Sequence, residues 1–385
     1  MVREIVITLY LFVFRLFFNM FKLLPQKKKT TFVASFCTNV LFTMRELEKC
    51  SDEDIIILKT HQCFITFEDN PNRTIIKLKA PHIMDWFRSI YHLATSRMVF
   101  VDNYYGFLAV TKFRSGTKCI QLWHAAGAIK KFGLKDLSIE NRHPRACKRF
   151  RKVYGRFDFV VVGSEKMAVI FRESFDLSAK RILRTGIPRT DFFFDTVAKH
   201  EAAKFLIQEF PIIGEKKVIL YAPTYRDHRL QAGDLRLDIE KMYEVLSDEY
   251  VLFLSLHPKA SVSIQNEYPD FVFDASGGVH INHLLVIADV LISDYSSVPF
   301  EFSLLNKPMV FFAYDLEEYA QNKGFWEDYE ELVPGPVVKT TGELIDVLKN
   351  GEYRLEQVRD FANEWNKYSN GKSSKRLINT LYNNT

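Results

Sequence analysis

Along residues 31–186, short runs of β-branched, aromatic and aliphatic residues alternate with longer segments whose apolar positions recur every three or four residues. The runs are TFVASFC (31–37), DIIILKT (54–60), TIIKLKA (74–80), RMVFVDN (97–103), KCIQLWH (118–124), FDFVVVGS (157–164) and KRILRTG (180–186). Such runs predict buried strands, and their alternation with helical segments predicts a parallel sheet with crossover helices. A helical segment, DTVAKHEAAKFLIQEF, then leads into a second series: KKVILYAPT (216–224), YVLFLSLHP (250–258), DFVFDAS (270–276), ADVLISDYSS (288–297), KPMVFFAYD (307–315) and GPVVKTT (335–341). The pattern predicts an α/β protein with two Rossmann-like domains, residues 30–205 and 206–345, and a C-terminal helical segment, residues 346–385.

Residues 1–29 follow a different pattern. IVITLYLFVFRLFFNMFKLL is almost wholly apolar, yet Glu4, Thr8, Arg15, Asn19 and Lys22 fall within about 60° of one another on a helical wheel. That arrangement predicts an amphipathic helix lying in a membrane surface. A spanning helix would carry Arg15 near its middle at about 2.5–3.5 kcal/mol, and a cleavable signal would want small residues where LLPQKKK stands. Docking of the helix on its own protein is the remaining alternative. Lys27, Lys28 and Lys29 follow it, so either membrane reading keeps the body of the chain in the cytoplasm.

Composition narrows the picture. A chain of 385 residues, 47% hydrophobic, can bury two cores. The net charge of +5 suits an anionic ligand or surface but is too small and scattered for a dedicated nucleic-acid binder. Cys37, Cys50, Cys63, Cys119 and Cys147 form no CxxC pair and have no His at zinc-ligand spacing, so five free thiols in a reducing compartment are expected. No P-loop, GxGxxG, DxD or HExxH motif calls for a nucleotidase or a metal, and no cofactor is expected.

Ligands of open parallel sheets bind beyond the carboxyl ends of the strands, and the reactive residues gather there. His124 follows CIQLW, Thr224 and Arg226 follow VILYAP, His257 follows VLFLSL, and SDYSS (293–297) follows DVLI. Ser296 or Ser297 is a natural N-cap for VPFEFSLLN, a structural role that competes with holding a phosphate at the helix start. Arg226 offers a planar fork for diphosphate oxygens and Lys259 can add charge. An imidazole with an ordinary pKa near 6.5 suits His124 to general base catalysis, and His257 to stabilising charge on a leaving group. Both histidines could instead be structural.

Taken in order, QLWHAAGAIKKFG, VVGSE, GIPRTDFF, LYAPTYR, LHPK, ISDYSSVPFEFSLLNKP, FFAYDLEEY and PGPVV resemble the CDP-glycerol glycerophosphotransferase family of wall teichoic acid synthesis, from about residue 97 to the C-terminus. The resemblance implies a GT-B-like fold and a peripheral, monotopic enzyme on the cytoplasmic face of the cell membrane. Such an enzyme moves glycerol phosphate from CDP-glycerol to a polyprenyl-diphosphate-linked disaccharide, releasing CMP. It implies His124 as base, His257 as the second essential histidine, and Thr224, Arg226, Asp294, Ser296 and Ser297 on the donor side. Its implied partners are the lipid acceptor, an anionic membrane and other teichoic acid enzymes, with no nucleic acid. Ala125, Ala126 and Gly127 stand where the polymerases carry Gly-Thr-Pro, and the chain is short, which resembles the priming members. Polyol-phosphate polymerisation, for a teichoic acid or a capsule, sugar transfer by a GT-B glycosyltransferase, and a non-catalytic membrane scaffold stay open as alternatives.

Overall fold

The computed structural model describes residues 2–78, 82–224, 226, 235–256 and 267–382. Its first sheet contains β1 (Lys29–Ala34), β2 (Asp54–Thr60), β3 (Arg73–Leu78), β4 (Met98–Val101), β5 (Lys118–Gln121), β6 (Phe159–Val161) and β7 (Ile182–Leu183). All neighbours are parallel, in the order β3-β2-β1-β4-β5-β6-β7. The second sheet contains β8 (Lys217–Tyr221), β9 (Tyr250–Leu254), β10 (Val272–Asp274), β11 (Val290–Ser293), β12 (Met309–Phe312) and β13 (Val337–Val338). It too is parallel, in the order β10-β9-β8-β11-β12-β13. This is a GT-B-like pair of Rossmann-like units, and every strand overlaps one of the apolar runs.

Both sheets reverse their strand order once, between β1 and β4 and between β8 and β11. Chains leaving such neighbours turn to opposite faces, and the opening left between them is the usual ligand position of this architecture. The strands sit there because both faces are covered: β4, β9 and β11 are buried along their whole lengths. Phe32 stacks on Phe100 at 4.9 Å in the first core. In the second, Ile219, Leu252, Leu254, Ile292 and Phe312 meet the helix residues Met242 and Leu344. Each such burial contributes about 1.5–3 kcal/mol.

One compact unit comprises the chain up to Ala126, then Lys131–Asp191, then the stretch from Asn366 onward; the other comprises Gly127–Lys130 and Phe192–Trp365. The C-terminal stretch therefore belongs to the first unit, where the Tyr382 hydroxyl lies 2.5 Å from Thr30 Oγ1.

The N-terminal helix Val2–Phe21 presents three faces. Phe14 and Phe18 are buried, and Tyr10, Phe14 and Phe17 pack against Trp86 of the helix Ile83–Thr95. On the polar face, Glu4 pairs with Arg149 at 2.9 and 3.2 Å, and Lys22 donates to the Lys112 carbonyl. Val2, Ile5, Leu9, Phe12, Leu16 and Met20 form a third, exposed apolar stripe. Docking and an outward apolar face thus coexist. A cavity of about 430 Å³ beside the helix is lined by Tyr10, Phe14, Trp86, Leu93 and Phe107 among others.

The expectation of five free thiols needs correction. Cys37 and Cys63 are paired as a disulfide, with Cα atoms 5.8 Å apart, while Cys50, Cys119 and Cys147 are free. Each paired cysteine follows a strand by three residues, and those strands, β1 and β2, are parallel neighbours. The two loops therefore emerge side by side, a proximity that sequence separation conceals.

Candidate active site

In the first unit the apolar run 118–124 leaves the ladder after Gln121, and the chain turns at Trp123, whose φ is 60°. A left-handed conformation is costly for a bulky residue, and three side chains hold the turn. Gln121 Oε1 accepts from the Trp123 N–H at 2.9 Å, Asn39 Nδ2 donates to the Trp123 carbonyl at 2.9 Å, and Arg189 Nη1 donates to the His124 carbonyl at 2.7 Å. Asn39 Oδ1 in turn accepts from the Arg189 N–H at 2.9 Å. The segment GIPRTDFF is thereby explained: Arg189 braces the histidine turn, and Asp191 caps the last helix through the N–H groups of Ser373 and Ser374.

The turn delivers the His124 ring into an aromatic slot. It stacks on Phe36 at 4.1 Å and on Trp123 at 4.3 Å. Its Nδ1 lies 3.3 Å from the Asp102 carbonyl oxygen. A carbonyl only accepts, so Nδ1 carries the proton in this contact, and in the neutral ring Nε2 is the basic nitrogen.

Asp102 organises the slot. Fully buried at the end of β4, its carboxylate accepts from the N–H groups of Ser35, Phe36 and Cys37 at 2.8–3.0 Å and from the Tyr105 hydroxyl at 2.7 Å. Burial pushes its pKa up, and those hydrogen bonds oppose the rise. One residue thus fixes the loop bearing Phe36 with its side chain and orients the imidazole with its backbone.

In the second unit, Thr224, Arg226 and Asp294 meet at the carboxyl ends of β8 and β11. Asp294, buried, accepts from the Thr224 N–H at 2.7 Å and from Arg226 Nη1 at 2.8 Å. Asp315 grips the other edge of the guanidinium, at 2.8 Å to Nε and 3.0 Å to Nη2, and also accepts from the Tyr295 hydroxyl at 2.9 Å. Burial works against the charge of Arg226, but Asp315 and Asp294 outweigh it and hold its pKa above the ordinary range. For Asp315 too, burial raises the pKa, and the Arg226 contacts overcome it and bring the pKa down. The expected free fork for diphosphate is thus engaged by carboxylates, while the buried Thr224 Oγ1 has no hydrogen-bond partner among the described residues.

Ser297 occupies the N-cap position of Val298–Phe302 without a side-chain capping bond, and the Ser296 hydroxyl accepts from the Val298 N–H at 3.3 Å. Five residues make too short a helix for a substantial dipole, so any phosphate affinity here rests on the hydroxyls. His257 and Lys259 lie outside the described residues. Sequence reasoning missed Asn39, Asp102, Arg189 and Asp315 and did not single out Tyr295; Asp102, Asp315 and Tyr295, the last inside SDYSS, carried the strand-end signal.

Residues 17–383 match the CDP-glycerol:poly(glycerophosphate) glycerophosphotransferase family. The chain belongs to this family. It is 36% identical over 384 residues to the teichoic acid glycerol-phosphate primase of Bacillus subtilis strain 168, covering 99% of both chains. It is 38% identical over 296 residues to the teichoic acid poly(ribitol-phosphate) polymerase of Bacillus spizizenii, covering 76% of this chain and 47% of that one. The solved structure of the wall teichoic acid polymerase TagF superposes with a TM-score of 0.80 at 23% identity, over 100% of this chain and 98% of that one. Membership makes the protein a CDP-glycerol glycerophosphotransferase of teichoic acid synthesis.

Asp102→Ala strands three backbone N–H groups and should lower the unfolding free energy by about 3 kcal/mol in urea denaturation. An unchanged midpoint would contradict the assigned role.

Proposed function

We propose that this glycerophosphotransferase primes wall teichoic acid. It transfers one glycerol phosphate from CDP-glycerol to the N-acetylmannosaminyl-N-acetylglucosamine unit of a polyprenyl-diphosphate-linked acceptor and releases CMP. His124 Nε2 takes the proton of an acceptor sugar hydroxyl as its oxygen bonds to the β-phosphorus, which bears glycerol. The bond from that phosphorus to the oxygen bridging the two phosphates breaks, and its electron pair leaves with CMP. The observation that carries this reading is the contact of His124 Nδ1 with the Asp102 carbonyl, which sets the tautomer that a base needs.

Thr224, Ser296 and Ser297 supply hydroxyls to the donor, while Asp294 and Arg226 form the frame that holds Thr224 in place. The role of His257 in easing the departure of CMP rests on the family resemblance. Similarity along 99% of both chains to a glycerol-phosphate primase, with Ala125, Ala126 and Gly127 after the histidine, favours single addition over polymerisation.

The helix Val2–Phe21 attaches the enzyme to the cytoplasmic membrane face. Its inner face is docked on the protein and its outer stripe is apolar, a division that suits a helix lying in the interface. Lys27 and Lys28, both exposed, follow it and favour anionic lipid.

His124→Ala should reduce CMP release in the presence of acceptor by about 10²- to 10⁴-fold; turnover at the wild-type rate would refute the base assignment. Replacing Ile5, Leu9, Phe12 and Leu16 together with Ser should leave the protein unbound in flotation with anionic vesicles. Undiminished flotation would refute the attachment.

A further inference from the structure

The clamp on Arg226 leaves an electrostatic deficit. One guanidinium faces two carboxylates, Asp294 and Asp315, so the group as it stands repels a diphosphate. Arg236 lies over the Tyr314 ring that Arg226 also faces, and the segment 121–133 supplies a second cation.

Gly127–Lys130 belongs to the second unit although His124 belongs to the first. Its backbone is fixed there from both sides. A Cβ on Gly127 would collide with the Phe300 ring, so glycine permits the close approach. Lys130 bridges Phe325 in antiparallel fashion, the Trp326 N–H donates to the Ile129 carbonyl, and Trp326 Nε1 donates to the Lys130 carbonyl at 2.9 Å.

The Lys130 side chain extends to the Arg226 group. Its ammonium lies 5.8 Å from the centre of the Tyr319 ring, and the Arg226 guanidinium lies 5.8 Å from the same centre. Tyr319 itself stacks on Tyr295 at 3.9 Å. Unlike Arg226, Lys130 makes no ion pair and no side-chain hydrogen bond among the described residues. Its pKa is pushed down to about 8, chiefly by burial, with Asp294 opposing the fall and Lys323 and Arg226 adding to it.

We propose that Lys130 is the side chain that binds a phosphate oxygen of the donor diphosphate, a role for which Arg226, already bonded to Asp315, Asp294 and the Thr224 carbonyl, has little donor capacity left. The inference rests on the reading that the second unit takes CDP-glycerol. A partly desolvated ammonium with spare donors, on a backbone clamped by Phe325 and Trp326, is pre-organised for a phosphate oxygen. Arg226 then plays a different part, offsetting one of the two carboxylate charges that oppose donor entry.

The test compares CDP-glycerol with cytidine, which lacks both phosphates, on wild type, Lys130→Met and Lys130→Arg by titration calorimetry. Lys130→Met should weaken CDP-glycerol binding by about 10- to 100-fold, the loss of one charged hydrogen bond, and leave cytidine binding unchanged. Lys130→Arg should recover part of the loss. In wild type, kcat/KM for CDP-glycerol should fall as pH rises through about 8, where the free enzyme's Lys130 loses its proton; in Lys130→Arg that limb should move to higher pH. Equal CDP-glycerol affinity in Lys130→Met, an equal loss for cytidine, or an alkaline limb unmoved in Lys130→Arg would overturn the proposal. Failure of the wild-type protein to bind CDP-glycerol would instead overturn the donor reading beneath it.

Discussion

Two carboxylates close on one guanidinium where β8 and β11 end, and the arrangement of the second unit's ligand face depends on that contact. Asp294 could not stay fully buried as an anion without Arg226, and Arg226 could not lie against Tyr295 and Tyr314 without the carboxylates. Because Asp294 also accepts from the Thr224 N–H, the same pair fixes the loop after β8. The contact stabilises geometry while leaving the trio with net negative charge, which is why the proposed donor site needs a counter-charge on another side chain.

The first unit solves a different problem, holding the His124 ring still with Nδ1 facing a carbonyl, as the proposed role of base requires. Asp102 does this with two groups: its carboxylate gathers the loop after β1, and its carbonyl faces His124 Nδ1. The strained Trp123 is tolerated because Gln121, Asn39 and Arg189 bond around it. Phe36 and Trp123 flank the ring, limiting its rotation and lowering the polarity around it. On the proposed reading the first unit offers a base to an alcohol, and the second offers hydroxyls and an ammonium to a diphosphate.

Much of this was legible in the sequence because parallel strands buried on both faces write themselves as uninterrupted apolar runs. Asp54–Thr60 coincides with its run to the residue, and the positions of His124, Thr224, Arg226 and Asp294 follow from strand ends alone. Partnership was not legible. Arg226 read as a free fork, and only the fold brings Asp315, 89 residues away in the chain, onto its other edge. Asn39 and Arg189 are 150 residues apart, and the Cys37–Cys63 pair arises from the adjacency of two loops. Lys130 was hidden for the opposite reason: six residues from His124, it reads as part of one motif, although the two side chains belong to different units.

The central claim is a division of labour, in which the first unit's histidine serves the acceptor and the second unit alone holds the donor. Calorimetric titration of CDP-glycerol into the His124→Ala protein, without acceptor, tests it most directly. A Kd within about twofold of wild type is predicted, since no donor contact is lost. A tenfold or greater weakening, about 1.4 kcal/mol, would place His124 on the donor and contradict that division.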